Sequence, residues 1–115
     1  MADTYELAIN QGANLEISFV LNDENGAPIN LTGYTARMQL RTAYTSPNVA
    51  MELTTENGRI VITPLTGRIA LNAPASITTN LIAQRYVYDL EMVSGSGYVT
   101  RVVQGDAVIS PEVTR

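Results

Sequence analysis

The 115-residue chain has no cysteine, no histidine, no tryptophan and no lysine. Each absence removes a class of chemistry. Without cysteine there is no disulfide and no thiolate metal site, and nothing indicates a redox compartment. Without histidine, cysteine and lysine, the groups most often tuned for proton transfer or nucleophilic attack near neutral pH are missing. Carboxylates, tyrosines, serines and threonines remain, so neither an enzyme nor a cofactor or metal site is expected. All seven cationic side chains are arginines, and eleven carboxylates bring the net charge to −4. That balance argues against a nucleic-acid partner, since holding a phosphate backbone takes clustered lysine and arginine. No apolar run reaches the roughly 18 residues of a membrane-spanning helix. The opening MADTYELAIN lacks the basic-then-apolar order of a secretory leader.

What the chain does have is alternation. In residues 85–104, Tyr86, Tyr88, Leu90 and Met92 share one face of a strand while Val87, Asp89 and Glu91 share the other. Ser94, Gly95, Ser96 and Gly97 then supply a tight reversal. The return strand reads two ways, with either Tyr98, Thr100 and Val102 inward or Val99, Arg101 and Val103 inward. The first is preferred because it leaves Arg101 in water; burying an unpaired arginine would cost several kcal/mol.

The rest of the chain reads as shorter β pieces. Residues 4–10 alternate Tyr5, Leu7 and Ile9 against polar neighbours and suit an edge strand. Residues 14–21 place Leu15, Ile17, Phe19 and Leu21 inward. Pro28 cannot donate to a ladder, which puts residues 27–33 at an edge or outside a sheet. Residues 34–42 alternate Ala36, Met38 and Leu40 against Arg37, Gln39 and Arg41. A short strand follows at 49–54. Residues 59–63 and 68–72 form a second hairpin across Pro64-Leu65-Thr66-Gly67, and residues 106–110 form a last strand before a charged tail at 112–115. One stretch differs: Pro74 followed by Ile77, Leu81 and Ile82 suggests a short helical turn near residues 74–83. Eight or nine short strands with turn signals between them predict an all-β, antiparallel sandwich or small barrel. The length fits one domain, residues 1–115, which can bury roughly two-thirds of its unfolded surface without covalent staples.

Few residues suggest a site. Asp89 and Glu91 fall on one outer face, as a carboxylate pair or as a solvated face paired across the ladder with Arg101. Asp23, Glu24 and Asn25 beside Gly26 lack the spacing and closing glutamate of a calcium loop and read as a turn. Asn30-Leu31-Thr32 matches a glycosylation triplet but reads as a local Asx-type bond. Arg37, Arg41, Arg59 and Arg68 lie on outward faces, and with Tyr98 and Arg101 they are the candidate partner contacts.

Two segments carry a resemblance. One is Gly26-Ala27-Pro28-Ile29-Asn30-Leu31-Thr32-Gly33 leading into the strand with Arg37 and Arg41. The other is Tyr88-Asp89-Leu90-Glu91, the glycine-rich turn, Val99-Thr100-Arg101, Gly105 and the ending Pro111-Glu112-Val113-Thr114-Arg115. With Gln11-Gly12-Ala13 these resemble small virion proteins of tailed bacteriophages, and the first segment is similar to the N-terminal domain of baseplate upper proteins. The resemblance implies an Ig-like β-sandwich and a structural role in a virion assembled in the bacterial cytoplasm. The role it implies is a tail, baseplate or tail-fibre attachment adaptor working through β-edge and face contacts. Capsid decoration and a carbohydrate- or receptor-binding module are the alternatives. Expected partners are other virion proteins and further copies of the chain in a symmetric oligomer, a trimer being one option. The chain departs from the baseplate pattern by having no fibre or receptor-binding head after the domain.

Overall fold

The computed structural model describes residues 3–114; Met1, Ala2 and Arg115, the end of the charged tail, lie outside them. Nine strands form two facing sheets among the described residues. They are β1 (Asp3–Thr4), β2 (Leu7–Asn10), β3 (Leu15–Val20), β4 (Thr35–Arg41), β5 (Met51–Thr54), β6 (Ile60–Thr63), β7 (Arg68–Ala73), β8 (Arg85–Val93) and β9 (Val99–Ser110). A 3₁₀ turn, Pro64–Thr66, joins β6 to β7, and the helical turn α1 (Ala75–Thr78) precedes β8.

The larger sheet runs β9-β8-β4-β5, with β1 and β2 both beside β9; the smaller runs β3-β7-β6. This is the Ig-like arrangement, with β3-β7-β6 in the places of strands B, E and D and β9-β8-β4-β5 in those of G, F, C and C′. Alternation delivers the core: Met38, Leu40, Leu53, Tyr86, Tyr88 and Leu90 from one sheet meet Leu15, Ile60, Ile69 and Leu71 from the other, all buried. Tyr86 adds a signature of the fold, since its hydroxyl donates to the Ile82 carbonyl at 3.0 Å across the turn that opens β8, as in a tyrosine corner.

Three features differ from the sequence expectation. The pairs of β1 and β2 with β9 are parallel, whereas every other pair is antiparallel. The first segment does not fold back on its sequence neighbour β3 but lies along the last strand, where Leu7 and Ile9 align with Ala107 and Ile109. A period of two does not distinguish a parallel neighbour from an antiparallel one. Next, β9 is one strand of 12 residues, with no break at Gly105. Its register against β8 slips: Glu91 faces Arg101 but Leu90 faces Val103, leaving Val102 as a bulge. Thr100 is therefore on the inner side opposite Met92, and Arg101 is in water as expected, but beyond the bulge it is Val103 that is buried. Tyr98 is exposed at the turn and not inward. Finally, Ile82 is exposed; Leu81 fills the position beneath α1, and Thr78 is buried with its hydroxyl donating to the Ala13 carbonyl at 2.7 Å.

Residues 27–33 lie outside both sheets apart from a single bridge between Asn22 and Pro28, in keeping with Pro28. Leu31 anchors this segment, fully buried, with its N–H donating to the Pro64 carbonyl at 2.9 Å. The local turns are those the sequence suggests. Asp23 Oδ1 accepts from the Asn25 and Ala27 N–H groups, and Asn30 Oδ1 from the Thr32 N–H at 3.0 Å.

Candidate functional site

On a strand whose inner face is packed, every second residue must point to water. On β4, β8 and β9 those residues are mostly polar or charged, and the strand register lines them up in rows across the larger sheet. One row is Thr54, Arg37, Glu91 and Arg101; the next is Glu52, Gln39, Asp89 and Gln104; a third is Arg41, Val87 and Asp106. Opposite charges thus sit as cross-strand neighbours, the favourable arrangement on a sheet.

The side chains are tied to one another. Arg37 Nε lies 3.0 Å from Glu91 Oε1 and Arg101 Nε lies 3.5 Å from Asp89 Oδ2. Gln39 donates to Glu52 at 2.7 Å and Arg101 to Gln104 at 3.1 Å. Arg41 bridges two levels, donating through Nη2 to Gln39 Oε1 at 2.8 Å and through Nη1 to the Ser46 carbonyl at 2.7 Å. That second bond holds the 42–50 loop, and Tyr44 with it, against the sheet. An open depression of about 220 Å³ lies there, lined by Gln39, Arg41, Tyr44, Val87, Asp89 and Glu91. Tyr44 is 72% exposed.

Asp89 is the electrostatic centre of this face. Partial burial raises its pKa above the ordinary aspartate value, and the neighbouring Glu91 carboxylate raises it further, against the lowering effect of Arg101, Arg37 and Arg41. The carboxylate is therefore under-compensated in the free domain, although three guanidinium groups surround it. A cation or hydrogen-bond donor placed over the depression would relieve it.

The candidate contact residues divide by location. Arg37, Arg41 and Arg101 converge on this face. Arg68 lies on the outer face of the smaller sheet, opposite Val20 on β3 and Thr63 on β6. Arg59 precedes β6 and donates to the Glu52 carbonyl at 3.1 Å, at the side of the sandwich. Tyr98 is at the β8–β9 turn, where its N–H donates to Ser94 Oγ at 3.0 Å. The paired carboxylates Asp89 and Glu91 do share the outer face, bonded to arginines. Sequence reasoning missed Gln39, Glu52 and Gln104 as members of the face. Gln39 and Glu52 share the outward parity of their strands and were open to the same argument. Among the described residues no group of three or more acidic side chains is placed to hold a metal ion.

Comparison with known protein families and with curated proteins finds no match to the chain.

Proposed function

We propose that this domain is an assembly module, a structural adaptor that docks other proteins through the outer face of its larger sheet. The observation that carries the reading is the ordered grid of Arg37, Glu91, Arg101, Gln39 and Asp89. Its side chains are already held in place by cross-strand bonds, so docking against it freezes little additional side-chain motion. Mixed charges at fixed positions favour a particular partner and register over non-specific adhesion. A chain with no histidine, cysteine or lysine fits this role better than a catalytic one.

The resemblance to tailed-phage virion proteins supplies the setting: an adaptor of the tail, baseplate or fibre root, whose partners are other virion proteins and further copies of the chain. Cryo-electron microscopy of particles from the phage encoding the chain tests this. Density for the sandwich at the tail or fibre root supports the adaptor, density on the shell makes it a decoration protein, and density at neither place removes the virion reading.

One observation favours a second reading, a carbohydrate- or receptor-binding module. Tyr44 stands exposed beside Gln39, Arg41 and Asp89, an aromatic ring next to polar groups of the kind that bind a sugar. Loss of glycan or receptor binding in Tyr44→Ala, with particle assembly intact, would favour it over the adaptor.

A further inference from the structure

The sandwich has four sheet edges, and they are not equally available. At the β5 edge, side chains take the backbone groups. The Glu52 carbonyl accepts from Asn57 Nδ2 at 3.2 Å and Arg59 Nη1 at 3.1 Å, and the Thr54 N–H donates to Asn57 Oδ1 at 3.0 Å. The edge beside β9 is split between β1 and β2, with residues 5 and 6 leaving the ladder. The β6 edge is four residues long and runs straight into Pro64.

The edge at β3 is different. It is six residues, Leu15–Val20, paired on one side only, with β7. It carries none of the usual protections of an exposed edge: no proline, no lysine, no bulge in its pairing with β7, and a single charge, Glu16. Its inward residues are also unfinished. Leu15 is buried, but Ile17 and Phe19 point to the core and are only partly buried. Phe19 has one aromatic neighbour, Tyr5, whose ring meets it edge-on at 5.6 Å. A strand added beside β3 would satisfy the free backbone groups and cover both side chains.

The strand's own sequence says which strand that is. In an antiparallel pair, facing residues must lie on the same side of the sheet. Two β3 strands related by a twofold axis through Ile17 meet this condition. Ile17 faces Ile17 of the second copy, Leu15 faces Phe19, and Glu16 faces Ser18. The three apolar positions fall together on the core side, and the only charge meets a neutral hydroxyl. We propose that β3 is a self-recognition edge: two copies of this chain pair their β3 strands antiparallel about Ile17, fusing two three-stranded sheets into one. This names the surface for the self-association included above and rests on that part of the reading alone, so it stands or falls without a virion.

The test is sedimentation of the purified full chain over a concentration series, comparing the parent with two substitutions at Ser18. This side chain is outward and exposed, so changes to it leave the core alone. Ser18→Lys places an ammonium opposite Glu16 of the second copy, twice per dimer, and Ser18→Glu places a carboxylate there. The parent is expected to dimerise reversibly, Ser18→Lys to dimerise more tightly and Ser18→Glu more weakly, each by roughly three- to tenfold. The double variant Glu16→Lys/Ser18→Glu restores opposite charges and is expected to associate as tightly as Ser18→Lys. Equal weakening by both single changes would put Ser18 against itself and overturn this register. A parent and a Ser18→Lys variant that both stay monomeric at the highest soluble concentration would overturn the proposal.

Discussion

The Tyr88 hydroxyl donates a 2.7 Å hydrogen bond to the backbone carbonyl of Tyr5, reaching from the middle of β8 past β9 to the first segment of the chain. Tyr88 is buried, and its strand partner on β9 is Gly105, which has no side chain to block the path. The bond holds the N-terminal segment where it leaves the ladder between β1 and β2. Replacing Tyr88 with phenylalanine leaves that carbonyl without its partner, and is expected to cost about 1–2 kcal/mol in urea unfolding.

The same buried hydroxyl has a pH signature. Burial, with a smaller contribution from Tyr5, pushes the Tyr88 pKa up to about 12 from an ordinary 10.0. Between those values the unfolded chain gives up the Tyr88 proton and the folded chain keeps it, so stability falls as pH rises. Its contribution is intact below pH 10 and lost toward pH 12. Unfolding midpoints across that window should therefore fall more steeply for the parent than for Tyr88→Phe, although both carry the other five tyrosines.

Gly105 is the matching case on the backbone side. Its φ is +153°, and a Cβ there would lie 2.5 Å from the Tyr5 carbonyl oxygen. Gly105→Ala must therefore push the first segment away from β9. The expected result is early proteolytic cleavage within residues 3–10, with the midpoint of the remaining sandwich lowered to a smaller extent. Cleavage no faster than in the parent would show that the segment accommodates a methyl group.

Leu90 and Val102 test the bulge. Leu90 is fully buried opposite Val103, whereas Val102 has no partner on β8. Leu90→Ala is expected to cost about 2–5 kcal/mol as a core truncation, and Val102→Ala about 1 kcal/mol or less. Denaturant unfolding of the two variants checks the difference.

Much of this architecture was legible in the sequence, and the limits have physical causes. Tyr86, Tyr88, Leu90 and Met92 are inward because a period of two on a strand with one wet face allows nothing else. The same rule assigned Ala36, Met38 and Leu40, and the hairpin across Pro64. It failed at Val103, buried where an outward side chain was expected, because a bulge depends on the opposing strand and leaves no mark in local alternation. It missed the parallel pairing of β2 because the partner lies about a hundred residues away, and Gly105 reads as a break when it serves a close approach. The docking face was half-legible. Arg37 and Arg41 were outward by parity and Arg101 by the cost of burying it, but only the strand order shows that they share a sheet while Arg68 is on the other.

Asp89 gives a prediction of opposite sign to the usual surface carboxylate. Its pKa is raised, first by burial and then by Glu91, so ionising it is less favourable in the folded domain than in the unfolded chain. The neutral form's contribution is complete below the ordinary pKa and is lost as pH rises through the raised one. Asp89→Asn is therefore expected to raise the melting temperature at neutral pH, with the two proteins converging in acid. A fall at neutral pH would mean that the 3.5 Å contact with Arg101 outweighs the desolvation of the carboxylate.

The docking face is the centre of the account, and hydroxyl-radical footprinting addresses it most directly. The free chain is compared with the chain in assembled particles, reading Tyr44 on the larger sheet's outer side against Leu65, 74% exposed on the turn between β6 and β7. The account predicts that Tyr44 is protected in the particle and Leu65 is not. Equal labelling of Tyr44 in the two states, or protection confined to Leu65, would contradict it.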